Sequence, residues 1–129
     1  MSKLEDFLNF QDVDTITEEI YINKRLGTFK VKPLTSVKHN EFRNRCLTRN
    51  KKGETTTDLN KFNLLVITEQ TLEPDFSNSE FLAKVGCQTA REFIERKFFS
   101  GEIMMLANKI LEISGFDIDM NEQVEEAKN

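Results

Sequence analysis

Tryptophan is absent from the 129 residues, and Tyr21 and His39 each stand alone. With a single histidine, a His-based metal site or a Ser-His-Asp triad would have to rest on His39, which sits among Lys38, Asn40 and Glu41 on an expected helix surface and reads as solvated. Only two cysteines are present, Cys46 and Cys87, too far apart for a metal knuckle or a redox pair, so they read as reduced, buried thiols. The five glycines are scattered as punctuation and form no phosphate-cradling loop. Paired carboxylates such as Glu18/Glu19 and Asp117/Asp119 lack a neighbouring apolar pocket that would shift a pKa. No apolar run approaches the length needed to span a bilayer, and none at the N-terminus looks like a signal. The expectation is a soluble protein of the cytoplasm with no catalytic, cofactor or metal site and no small-molecule substrate.

What is plentiful is phenylalanine, eleven residues of it, in a chain with 38% hydrophobic and 31% charged residues. That composition suits one domain with one core, much of it aromatic. The net charge of −4 is unevenly distributed. From Lys24 to Lys52 ten basic residues face one acid, Glu41, giving +9, and the flanks then sum to −13. Such polarity lets copies of one chain attract each other through opposite charge patches. Lys30, Lys32, Arg43, Arg45 and Arg49 could also meet phosphates, but the stretch lacks the interleaved aromatics of a single-strand binder. Nucleic acid is the weaker reading.

Along the chain, Leu4, Phe7 and Leu8 have helical spacing, so residues 1–17 read as a short helix or arm. Ile20/Ile22 and Phe29/Val31 alternate with polar residues around Gly27, which predicts a β-hairpin over 18–34 whose apolar face lies on helices. Thr35 or Ser36 can cap a helix running to about Thr48, with Val37, Phe42, Cys46 and Leu47 as contacts. Asn50–Thr57 reads as an exposed loop. Asp58 or Thr57 then caps a helix, DLNKFNLLVITEQTL, with Leu59, Phe62, Leu65 and Val66 on one face and Pro74 closing it. Ser77 with Glu80, and Thr89 with Glu92, each match a capping box that starts a short helix.

The last helix has the strongest pattern. Ser100 can cap it, Glu102 suits its first turn, and Gly115 suits its stop. Ile103, Leu106, Ala107, Ile110, Ile113 and Ser114 share its buried face, Met104 and Leu111 extend that face to one side, and Met105 falls outside it. The adjacent pairs Phe98/Phe99 and Met104/Met105 cannot both point inward, so one member of each is a candidate for an adaptable exposed surface. Together with Arg43, Arg45 and Arg49 these are the expected partner-binding residues. The fold class that follows is mainly α: about five helices over 18–115 with one N-terminal hairpin, and an acidic tail over 116–129.

The order RLGTFKVKPL, DLNKFNLLVITEQTL, EPDF, FSGEIMMLANKILEISGFD resembles the XkdN-like phage tail assembly chaperones. The most specific parts are Pro74, Asp75 and Phe76, and Gly101, Glu102, Ile103, Leu106, Ile110, Ser114, Gly115 and Phe116; Ser100 stands where such proteins often have proline. The resemblance implies a non-enzymatic protein that coats the helical tape measure protein during tail morphogenesis and helps recruit tail tube subunits. It also implies departure before the particle matures. Many such chaperones have a frameshifted longer form, and Ala127, Lys128, Asn129 can be encoded by a slippery A-AAA-AAC run, which the nucleotide sequence would test. The alternatives from other classes are a small nucleic-acid-associated regulator using residues 24–52 and a permanent structural tail component.

Overall fold

Alternating apolar residues on either side of Gly27 produce the expected hairpin. In the computed structural model, which describes residues 3–116, β1 (Glu18–Asn23) and β2 (Gly27–Val31) pair antiparallel with Ile20 opposite Phe29. Gly27 has φ 78°, a left-handed conformation in which a side chain would be strained. The Leu26 N–H donates to Asn23 Oδ1 at 2.8 Å inside the turn. Ile22, Phe29 and Val31 are buried, as the alternation requires.

The fold class differs from the expectation: among the described residues, six α-helices share the chain with five short strands in two sheets, so the architecture is mixed α/β and not mainly α. Two segments account for the difference. Helix α3 (Leu59–Gln70) stops short of the expected end, and Thr71–Glu73 continues as β5, antiparallel to β2, giving the order β1-β2-β5. A residue before proline disfavours helical ψ, which frees Glu73 for the strand. The chain switches where Gln70 meets the end of β2: its Nε2 donates to the carbonyls of Lys32 and Pro33 at 3.1 Å, and the Lys32 N–H donates to the Gln70 carbonyl at 2.8 Å.

The second difference lies after α2 (Ser36–Arg45), whose cap is Thr35, its hydroxyl accepting from the Lys38 N–H at 3.1 Å. The helix ends at Arg45, before the expected Thr48. Residues read as helix end and loop instead form a second hairpin, β3 (Leu47–Arg49) with β4 (Thr55–Thr57). Its strands carry β-branched threonines, and Asn50 Oδ1 accepts from the N–H groups of Lys52 and Glu54 in the turn. Val37, Leu47 and Leu59, expected as packing contacts, are exposed.

The core lies between the three-stranded sheet and helices α3, α5 (Ala90–Lys97) and α6 (Ser100–Ile113). Phe42, Leu64, Ile67, Ile94, Leu106 and Ile110 are its largest fully enclosed side chains. A second group is aromatic: Phe76 meets Phe29, Phe93 and Phe98 at ring centroid distances of 5.6, 5.7 and 5.8 Å. Helix α4 (Ser79–Val85) is capped by Asn78, whose Oδ1 accepts from the Phe81 N–H, and not by Ser77. Thr89 caps α5 as expected. Cys46 and Cys87 are free and buried, and burial pushes the Cys46 thiol pKa up. The acidic tail and the Ala127–Asn129 codon reading fall on residues outside the described ones, apart from Phe116.

His39 is less solvated than its neighbours in sequence suggest. Its ring lies 5.6 Å from that of Phe62 and 4.7 Å from that of Phe116. Burial, and then Arg43, lower its pKa below the ordinary 6.5. The folded state therefore binds fewer protons here than the unfolded chain. Stability from the neutral ring is present above about pH 6.5 and is lost as pH falls through the lowered folded value. Replacing His39 by phenylalanine should flatten the acid limb of stability between about pH 7 and 5, measured by urea denaturation in a pH series.

Candidate functional site

The first turn of α6 is tied to the hairpin turn by one buried carboxylate. Phe99 precedes the helix, and its N–H donates to Glu102 Oε1 at 2.8 Å; phenylalanine has no side-chain acceptor, so this is half of a capping box. Ser100, the expected cap, is the first helical residue. Glu102 is buried, and Arg25 grips it with both arms of its guanidinium, Nη2 to Oε1 at 2.7 Å and Nε to Oε2 at 3.0 Å. Asn23 Nδ2 donates to Oε2 at 3.0 Å. The hydrogen bonds from Arg25 are the largest influence on Glu102, and with help from Asn23 and the Phe99 N–H they overcome burial and push its pKa down to about 2.

Arg25 also donates to the Lys97 carbonyl at 2.6 Å and lies 4.8 Å over the Phe99 ring. Phe99 is thus a 69% exposed aromatic ring held from below by a cation that is itself anchored. Its neighbour Phe98 turns the other way, half-buried against Phe29, Phe76 and Phe93. Further along α6, Met104 is 58% and Met105 39% exposed. Met105 precedes Lys109 by one helical turn, and Lys109, Glu112 and Ile113 form one wall of an open groove whose other wall is Glu18, Ile20 and Tyr21 of β1. The groove pairs an exposed aromatic, Tyr21, with charged side chains of both signs.

Arg43, Arg45 and Arg49 are exposed on α2 and β3. No hydrogen bond, ion pair or ring contact among the described residues links them to the Phe99–Met105 group. The expected residues thus occupy two separate regions. Arg25 and Glu102, which hold Phe99, and Tyr21, which lines the open groove, were not among the expected partner-binding residues. Glu102 three residues after a helix start was the one local signal, since a carboxylate there can reach back to the cap. Among the described residues no cluster of three or more His, Cys, Asp or Glu could hold a metal ion, and no helix is long and apolar enough to cross a membrane.

Phe99, Met104 and Met105 are thus large apolar side chains left exposed at a helix whose other face is core. The family model for the phage XkdN-like tail assembly chaperone protein matches residues 4–128. The chain belongs to that family. Membership in a chaperone family implies a non-enzymatic role, exercised in the host cell during tail assembly. The match begins upstream of the hairpin, so the N-terminal arm is part of the XkdN-like pattern. Among solved structures, the crystal structure of the protein yqbn is similar, with 25% sequence identity and a TM-score of 0.66 over 91% of this chain and 99% of that one. No curated protein matches the chain.

Proposed function

We propose that this XkdN-like chaperone binds and coats the tape measure protein during tail morphogenesis, keeps it soluble, and helps recruit tail tube subunits around it. The observation that carries this reading is the exposure of Phe99, just before α6, and of Met104 and Met105 on α6, the helix whose opposite face is core. A long helical client presents apolar stripes that vary along its length, and flexible methionines adapt to varied contacts. Phe99, fixed by Arg25, supplies the rigid aromatic contact that typically dominates an interface. The chaperone acts in the bacterial cytoplasm and leaves before the particle is complete.

Co-expression with the tape measure encoded a short distance downstream tests this. The wild-type chain keeps the client in the soluble fraction and co-purifies with it. Phe99→Ser with Met104→Ser and Met105→Ser weakens capture by at least roughly tenfold while leaving the circular dichroism spectrum unchanged. A client that stays insoluble with the wild-type chain defeats the reading. Finding the chain stoichiometrically in purified mature particles would instead mark it as a permanent tail component.

A further inference from the structure

Two features of the molecule remain unused by this reading, and they complement each other. Between α3 and α5 lies a cleft of about 370 Å³ lined by the half-buried Leu65, with Arg45, Lys61 and Arg91 around it. Glu69 is the single acid among its lining residues. Arg91 is engaged by Glu95 at 2.6 Å, but Arg45 and Lys61 have no ion pair among the described residues. The cleft therefore offers an accessible leucine, Leu65, beside two cations that form no ion pair among the described residues.

The second feature is the N-terminal arm. Residues 4–14, LEDFLNFQDVD, hold four acids (Glu5, Asp6, Asp12, Asp14) and no base. Leu8 is 79% and Phe10 67% exposed, so in the isolated chain this apolar surface faces water instead of its own body. An acidic segment with large apolar side chains has the chemistry that the cleft lacks, and the cleft has the chemistry that the arm lacks. None of residues 4–14 is among the side chains that line the cleft of the same molecule.

We infer that the Arg45–Lys61 cleft between α3 and α5 of one copy receives the N-terminal arm of a second copy, Leu8 and Phe10 seating on Leu65 while Glu5 and Asp6 meet Arg45 and Lys61. Each copy then has one donor and one acceptor surface. The contact leaves Phe99, Met104 and Met105 uncovered, because none of them lines the cleft.

Sedimentation of the full chain over a concentration series tests the assignment. The wild-type chain associates, and raising the salt concentration weakens the association. Arg45→Glu with Lys61→Glu weakens it at least roughly tenfold, and so does Glu5→Lys with Asp6→Lys. Combining the four changes in one chain restores association, which simple unfolding could not do. Leu8→Asp with Phe10→Asp, at two exposed positions, abolishes association without touching the cleft. The Phe99, Met104, Met105 triple variant still associates. A wild-type chain that stays monomeric at every concentration overturns the inference. So does association that survives both charge reversals, failure of the combined variant to restore it, or a cleft that binds duplex DNA at low salt while the chain remains monomeric.

Discussion

Replacing Glu102 by alanine lowers the unfolding free energy by about 2 kcal/mol, a drop of roughly 8 °C in Tm that chemical and thermal denaturation both read. The variant removes the acceptor of four hydrogen bonds, two from Arg25, one from Asn23 and one from the Phe99 N–H. It also removes the side-chain acceptor for the Phe99 N–H at the start of α6. The figure stays near the lower end for a broken buried ion pair because Arg25 is half-exposed, and water takes up part of what it loses. Arg25→Lys tests the geometry, since an ammonium keeps the charge but cannot donate from two fixed arms, so its denaturation midpoint falls between wild type and Arg25→Ala. The pH dependence has a defined direction. Glu102 is held down to about 2 in the folded chain against an ordinary 4.5, so its stabilisation is complete above about pH 4.5 and disappears as pH falls from there toward 2. The stability gap between wild type and Glu102→Gln should close over that window. A gap that is constant with pH would show that the carboxylate charge is immaterial.

Phe76→Ala costs about 3–5 kcal/mol, read as a fall in the urea midpoint. Phe76 is buried at the centre of the ring cluster, within 6 Å of Phe29, Phe93 and Phe98 by the centroid distances given above. Truncation leaves a cavity that the three surrounding rings, held by β2 and by α5 with its C-terminal cap, cannot all close. Phe76→Leu, which keeps most of the volume, costs less than about 1.5 kcal/mol. Phe99→Ala provides the contrast within the same residue type: its exposed ring packs on Arg25, not in the core, and its removal changes stability by no more than about 1 kcal/mol. If Phe99→Ala proved as destabilising as Phe76→Ala, the distinction between core ring and surface ring would be wrong.

What could be read from the sequence was what local periodicity determines. The alternation around Gly27 and the buried line Ile103, Leu106, Ala107, Ile110 both recur in the structure, because each element's face is written in its own residues. Strand β5 was hidden because Thr71–Glu73 follows a strong helical pattern and becomes a strand only through bonds to residues near 32, supplied by another part of the chain. The β3–β4 hairpin was hidden for the opposite reason. Its exposed strands bury little apolar surface, so no alternation marked them as anything but loop. These two segments are why the mainly α expectation gave way to a mixed architecture. At the α6 surface, adjacency showed that Phe98 and Phe99 must diverge but not which would turn inward; the ring cluster built from Phe29, Phe76 and Phe93 decides that. Glu102 could not be recognised as buried because the arginine that makes its burial tolerable lies 77 positions upstream. The XkdN-like resemblance was legible from the PDF and GEI motifs, and the family match extends it to the arm.

The same separation sets an order of events during synthesis. The hairpin turn leaves the ribosome 77 residues before Glu102 does. At bacterial elongation rates of roughly 5–20 residues per second, Arg25 waits about 4–15 seconds for its carboxylate. Through that interval the hairpin can form its ladder but cannot lock to the last helix, and Phe99, still unmade, cannot be held over the guanidinium. The exposed ring of Phe99 and the latch that positions it are therefore completed together, and neither exists in a nascent chain until the start of its last core helix has been made.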